Sequence, residues 1–281
     1  MKIAISVEST CDLTKQQIID NDIKVIPYQI NLGDKSFKDG EMSIEEMFDY
    51  VDNKGVHPKT TAINSFEYQE YFEQLRKDYD AVVHITLSSG ITSSSGNAVV
   101  ASKEVENVYV VDSQSLSTGI ALLALYAKEL ADKGEQPQAI VQKLEERKKS
   151  LCVSFVIERL DYLHKGGRCS SIALLGANLL KIRPRIIVKD GKMISDKKYR
   201  GSMGGVMSKY AKELFGEFNT PDLSRVFITY TTATEEMLES CRNAVKEMGF
   251  KEVIETRAGV TIASHCGANT MGILYFNDGN K

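Results

Sequence analysis

The stretch Ser88-Ser89-Gly90-Ile91-Thr92-Ser93-Ser94-Ser95-Gly96 crowds hydroxyls between an apolar run, AVVHITL (81–87), and a segment that reads as a helix. Open α/β sheets take ligands at the carboxyl ends of their strands, and a helix N-terminus turns unpaired N–H groups towards an anion. The hydroxyls could complete such a cradle. They could equally form an N-cap and a flexible serine-rich turn, because Ser and Thr favour caps for local reasons. Two glycines bracket five residues here rather than three, so the stretch is not a nucleophile elbow. A second polar turn runs from His57 to Ser65. Asn64 with Glu67 reads as a capping box, which leaves the hydroxyls of Thr60 and Thr61 free to face a ligand.

Ser264-His265-Cys266-Gly267 reads as a glycine-containing loop between two apolar stretches, where His265 could hydrogen-bond a carboxylate, act as an acid or base, or be structural. His84, inside an apolar strand, reads as a satisfied core histidine, and Cys266 as inert. Lys165-Gly166-Gly167-Arg168 is a sharp loop that opens a basic region. From Glu158 to Arg200 there are 11 Lys/Arg against 4 Asp/Glu, a local charge of +7 in a chain whose net charge is −3. That asymmetry suits a solvated face, or the docking of an acidic protein or a phosphorylated ligand.

These groups sit in a chain of 281 residues, long enough for two ordinary domains. The overall charge lacks the basic excess of a general nucleic-acid binder, so no nucleic-acid partner is expected. No GxGxxG follows the first strand, and no GxxxxGK[ST], HExxH or EF-hand loop is present, which argues against a self-contained dehydrogenase or kinase and against a metal site. Five scattered cysteines without CxxC spacing fit a reducing, cytoplasmic setting. No transmembrane segment or signal peptide is expected.

The positioning elements alternate. Ile3–Val7, residues 81–87 and NVYVVDS (107–113) are strands that each run into a loop and a helix, predicting a parallel sheet covered on both faces. IKVIPYQINL lies between the first two, pushed by Pro27 to an edge or bulge, with helices after Ser43 and Asn64. Beyond Ser150, RPRIIVKDG and KMISDKKYRG form a hairpin turned at Asp190-Gly191. A helix from about Met203, the strand RVFITY, a helix from Thr234 to Met248, and strands KEVIETR and MGILYF complete the chain. The expectation is an α/β fold of two domains: 1–155 with a parallel α/β/α sheet, and 156–281 with a mixed sheet.

At these motifs the chain resembles the DegV family, bacterial fatty-acid-binding proteins of which some serve as the FakB subunit of fatty acid kinase. The likeness rests on Ser9-Thr10 and Asp12-Leu13 after the opening strand, Pro27, Asp39-Gly40, Pro58-Lys59-Thr60-Thr61, Ser88-Ser89 and Asp112-Ser113. It continues through Leu160-Asp161-Tyr162-Leu163 into Lys165-Gly166-Gly167-Arg168, and ends at His265-Cys266-Gly267-Ala268-Asn269. It implies two α/β domains with one long-chain fatty acid between them and no other cofactor. Carried over by motif, Thr61, Thr92, Ser93 and His265 would bind the carboxyl group, with Thr60, Ser94 and Gly167 in support. Lys165, Arg168 and Arg200 would meet a new phosphate or a separate ATP-dependent fatty acid kinase protein, Arg200 favoured for the phosphate. The chain departs from the family's usual Leu-Ser-Gly-Thr-Tyr-Gln at Ile91–Gly96 and from Thr-Ser-Gln-Pro at Thr60–Ile63.

Burying a 16 to 18 carbon chain at roughly 0.8 kcal/mol per CH₂ would contribute over ~10 kcal/mol before losses, so the chain supplies affinity and the head-group donors supply orientation. A neutral, hydroxyl-lined end needs no fixed Lys or Arg, at about 1 kcal/mol net per hydrogen bond. Two alternatives stand beside this reading: a lipid carrier or sensor without phosphorylation, and a small-substrate enzyme using His265 as base.

Overall fold

A computed structural model describes residues 1–168 and 182–279. Four strands, β1 (Ile3–Glu8), β2 (Lys24–Ile26), β6 (Ala81–Thr86) and β7 (Val108–Asp112), form an all-parallel sheet in the order β2-β1-β6-β7. Every residue of β6 is buried, as a central strand covered on both faces requires. Helices α3 (Ser65–Arg76), α4 (Ser94–Ala101), α5 (Thr118–Asp132) and α6 (Pro137–Arg147) pack on it.

Pro27 has a larger effect than a bulge. The apolar run around it divides into β2 and β3 (Gln29–Leu32), which belong to different sheets: β3 pairs antiparallel with β4 (Lys35–Lys38) and β5 (Lys59–Thr61). Proline has no N–H to give a ladder, so the chain changes sheets there. Helix α2 (Ile44–Lys54) begins after Ser43 and α3 after Asn64, each with a complete capping box to Glu46 and Glu67. The short helix α1 (Lys15–Asp20) is capped the same way by Thr14 and Gln17.

The third sheet has the order β10-β9-β8-β13-β11-β12, from β8 (Leu151–Val156), β9 (Arg183–Lys189), β10 (Lys192–Tyr199), β11 (Arg225–Tyr230), β12 (Glu252–Arg257) and β13 (Met271–Phe276). Its pairs are antiparallel except β11 with β12. The β9–β10 hairpin turns at Asp190 and Gly191, both with positive φ (50° and 74°), the geometry a two-residue Asp-Gly turn adopts. β8 straddles residue 155 and lies wholly in this sheet, so by sheets the chain divides ahead of Leu151. Helices α8 (Met203–Glu217) and α9 (Glu235–Met248) cover one face around Met207, Tyr210 and Phe215.

On the other face lies α5, apolar almost all round. A helix of that kind must be buried on every side. It packs on β1 and β6 of the parallel sheet and on β8 and β13 of the mixed one, so a single core runs from Val82 and Val83 to Phe155, Phe227 and Leu274. Two short helices, α7 (Asp161–Lys165) and α10 (Val260–Cys266), pack on one another beside this junction. His265 therefore stands on a helix rather than in the loop its sequence context suggests. No local side chain caps α10; its first N–H groups donate to carboxylates far away in sequence, Gly259 to Asp12 Oδ1 (2.7 Å) and Val260 to Asp39 Oδ1 (3.0 Å).

Candidate functional site

The short strand β5 carries Thr60 and Thr61 on opposite faces, since side chains alternate along a strand. Thr60 turns inward and meets His265 of α10, Oγ1 to Nε2 at 2.9 Å. Thr61, expected at the carboxyl end, is exposed and accepts a hydrogen bond from Asn31 Nδ2 (3.1 Å) on β3. The structure thus places Thr60 at the pair and leaves Thr61 outside it.

His265 is largely buried. Burial, with the Arg168 charge adding to it, pushes its pKa down to about 4, so the ring is neutral at pH 7. Its Nδ1 is buried without a partner and lies against Gly166, where an added Cβ would sit 2.2 Å away. An unpartnered buried N–H is rarer than an unpartnered lone pair. That preference puts the proton on Nε2, which then donates to Thr60 Oγ1, and Thr60 keeps its own O–H for another acceptor. One helical turn before His265, Thr261 Oγ1 is also buried and unpartnered.

These groups face one cavity. Its polar side chains are Tyr28, Thr60, Thr92, Arg168, Thr261 and His265, and the rest of its wall is apolar, with Leu87, Ile91, Leu163 and Met193 among it. Arg168 supplies a fixed cation, so the polar end is not the neutral, hydroxyl-only surface expected from the sequence. Leu116, Ile262 and Cys266 also line a second cavity, whose wall includes Ser117 ahead of α5 and Phe155, Thr229 and Leu274 of the mixed sheet. The Cys266 thiol is pushed up to about 12 by burial, which keeps it unreactive as expected.

The serine-rich loop is largely occupied with holding other loops. Ser88 Oγ donates to Gly191 O (2.7 Å), Ser89 Oγ to Asp112 (2.5 Å), and Thr86 Oγ1 to Ser95 (2.9 Å). Ser94 Oγ accepts from Ile63 N (3.1 Å) and from the Tyr28 hydroxyl (2.8 Å), tying this loop to the turn after β5. Ser93, at the start of α4, is exposed and makes no capping bond. Of the expected donors in this loop only Thr92 reaches the cavity.

In the basic segment, Arg168 lines the cavity and donates to Gly166 O (2.7 Å). Lys165 donates to His57 Nε2 (2.7 Å). Arg200 is exposed just beyond β10, without a hydrogen bond or ion pair to a described residue and away from the cavity wall. Arg185 is instead a buried structural cation held by Asp196 and Glu217. Gly167 has φ +70° and open space around it, whereas Gly166 is the residue whose missing side chain admits His265. Cys169 and Lys181 lie outside the described residues. His84 Nδ1 meets Ser6 Oγ (2.9 Å), but its Nε2 is buried without a partner, so it is only half satisfied.

Sequence reasoning missed Tyr28, Thr261 and Gly166. Tyr28 follows Pro27, where the chain leaves the parallel sheet, and Thr261 becomes legible only once α10 is known to be a helix that places it four residues before His265.

Residues 2–278 match the model of the DegV family of uncharacterised proteins. A fatty acid-binding protein of Thermotoga maritima is 31% identical, with 97% of this chain and 96% of that protein covered. The crystal structure of DegV, a fatty acid binding protein from Bacillus subtilis, superposes with a TM-score of 0.87 at 27% identity, over 98% of this chain and 99% of that one. A DegV family protein from Thermus thermophilus shares the fold with a TM-score of 0.90 at 24% identity, over 98% and 99% of the two chains. Among the described residues no helix is long and apolar enough to cross a membrane, and no group of metal-ligating side chains is present.

Proposed function

We propose, since this chain belongs to the DegV family, that it binds one long-chain fatty acid with the carboxyl group at Thr60, Thr261 and His265 and the acyl chain directed past Leu116 and Ile262. The observation that carries the reading is the unpartnered buried hydroxyl of Thr261 on α10, which lines the same cavity as Thr60, His265 and Arg168. A buried polar atom without a partner costs about 1–3 kcal/mol, and a carboxylate able to reach Thr261 would relieve part of that cost. The free O–H of Thr60 adds a second donor, and Arg168 adds charge. The relatives named as fatty-acid-binding proteins support the same ligand class.

The finer part of the proposal is that the protein is a non-catalytic cytoplasmic subunit: it offers the carboxyl to a separate ATP-dependent kinase and keeps the acyl phosphate, with phospholipid synthesis downstream. Arg168 beside the polar end suits the added phosphate, and Lys165 and the exposed Arg200 suit docking of an acidic face. The division into domains at the change of sheet would let the lipid lie between them. An enzyme using His265 as base has less support: a pKa pushed down to about 4 makes the ring a weak base at pH 7, and among the described residues no acid orients Nδ1.

Denaturing extraction of the purified native protein followed by mass spectrometry tests the ligand. One acyl chain per protein is expected; none, with no uptake after delipidation, refutes the lipid reading. Acyl phosphate formation with the partner kinase then separates a kinase subunit from a carrier or sensor.

A further inference from the structure

Glu8 is the last residue of β1 and is fully buried. No lysine or arginine pairs with it among the described residues. Its Oε1 accepts from the Tyr68 hydroxyl, and its Oε2 accepts from Leu87 N (2.8 Å), Thr10 Oγ1 (3.3 Å) and the Tyr28 hydroxyl (3.4 Å). Tyr28 is also part of the cavity wall, and its hydroxyl reaches Ser94 Oγ at 2.8 Å and Thr92 Oγ1 at 3.4 Å. A single O–H hydrogen cannot serve three acceptors fully. Its direction depends on how strongly each one asks for it.

We infer that Glu8 is a positioning residue for the polar end of the cavity, its ionisation deciding whether Tyr28 commits its hydroxyl hydrogen to Glu8 or releases it towards Ser94 and Thr92. An ionised Glu8 accepts on both oxygens and holds Tyr28. A neutral Glu8 carries its own proton between Oε1 and Tyr68, demands fewer donors, and lets Tyr28 serve Ser94, so that the Thr92 O–H, which otherwise donates to Ser94 Oγ (3.2 Å), can point into the cavity. Ionisation also sets a negative charge one tyrosine away from a bound carboxylate. Both effects weaken the binding of an anionic head group, so binding should be tighter when Glu8 is neutral. This rests on the fatty-acid reading of the cavity.

Burial raises the Glu8 pKa to about 7, against the hydrogen bonds that lower it, so the switch falls in the neutral range. All but one of the titratable groups near it stay in one state there. His84 on β6, beside Tyr68, is pushed down to about 3 by burial, and Cys11 in the turn after β1 up to about 12. Tyr28 and Tyr68 are both pushed above the ordinary tyrosine value, first by burial and then by the charge of Glu8. α4 contributes Ser94, and the helix face of α5 against β1 is apolar. The exception is Asp12, raised to about 8, whose carboxyl accepts from Gly259 N and Ser117 Oγ rather than from Tyr28 or Tyr68, and Asp12→Asn separates its titration from that of Glu8.

The test is the affinity of the delipidated protein for hexadecane-1-sulfonate, whose head group does not titrate, between pH 6 and pH 8. If only the neutral form binds, a pKa of about 7 gives a loss of about tenfold over that range. Glu8→Gln should bind with a flat profile, Tyr28→Phe should lose the part of the slope carried by its hydroxyl and keep the part due to the Glu8 charge, and Asp12→Asn should retain the slope. A Glu8→Gln profile as steep as wild type overturns the role of Glu8. Should Glu8→Gln fail to fold, a wild-type slope in Tyr28→Phe overturns it instead. Absence of acyl binding at every pH overturns the fatty-acid reading as well, and is thereby distinct from a retained slope.

Discussion

Replacing Gly166 by alanine tests the geometry around His265 directly. The backbone there is an ordinary right-handed helix end (φ −74°), so alanine meets no conformational penalty. Its Cβ would nevertheless stand 2.2 Å from His265 Nδ1, 2.9 Å from Cε1 and 3.1 Å from Tyr162 O. Ordinary contact begins near 3.4 Å, so the ring or α7 must retreat by about 1.2 Å, a typical overpacking demand of roughly 1–3 kcal/mol. The ring cannot slide directly away, because Thr60 Oγ1 already lies 2.9 Å from Nε2. It must turn aside and lose that bond, about 1 kcal/mol more. A total near 2–4 kcal/mol corresponds to a melting temperature lower by roughly 4–16 °C for a chain of this size. Fatty acid affinity should fall only about fivefold, because apolar burial carries most of it. Thermal melting, the histidine ring resonances and lipid affinity together provide the assay. Gly167→Ala is the control: its φ of +70° brings strain of about 1 kcal/mol, but its open surroundings leave His265 in place. An unchanged His265 resonance and wild-type affinity in Gly166→Ala would refute the close approach.

Three further outcomes follow from the same geometry. Thr60→Val leaves the buried His265 Nε2 unpaired and should cost about 1–3 kcal/mol with weaker lipid binding, whereas the exposed Thr61→Val should stay within about 0.5 kcal/mol; urea unfolding and lipid affinity distinguish them. Asp12 is raised by burial from 3.8 to about 8, so the folded state holds a proton that the unfolded chain releases. Its contribution is full below about pH 4 and declines as pH rises towards 8, and Asp12→Asn should flatten that decline in urea midpoints measured across this range. With the partner kinase, Arg168→Ala and Arg200→Ala should each slow acyl phosphate formation and weaken its salt dependence, with lipid affinity reduced only in Arg168→Ala; wild-type rates in both would eliminate docking by charge.

The order of strands and helices was legible in the sequence because its signals are local. Ser43 with Glu46 and Asn64 with Glu67 start their helices, Asp190-Gly191 turns its hairpin, and the mostly apolar run of β6 marks a central strand. The motifs that carry the DegV resemblance, and with it the ligand class expected, are local in the same sense. The placement of individual side chains at the cavity is not. Period-two alternation says that only one of Thr60 and Thr61 can face inward, but the choice is made by the register of β5 on β3, which pairs Thr60 with the fully buried Ile30. The hydroxyls from Ser88 to Ser95 look alike in sequence, and their mostly structural roles are assigned by Gly191, Asp112, Ile63 and Tyr28, which arrive from other elements. His265 reads as a loop residue because α10 has no cap of its own; the carboxylates of Asp12 and Asp39 provide it from more than two hundred residues away. Hydrogen-bond donors and close contacts act over about 3 Å of space whatever their separation along the chain, so these assignments exist only once the two sheets and α5 have come together.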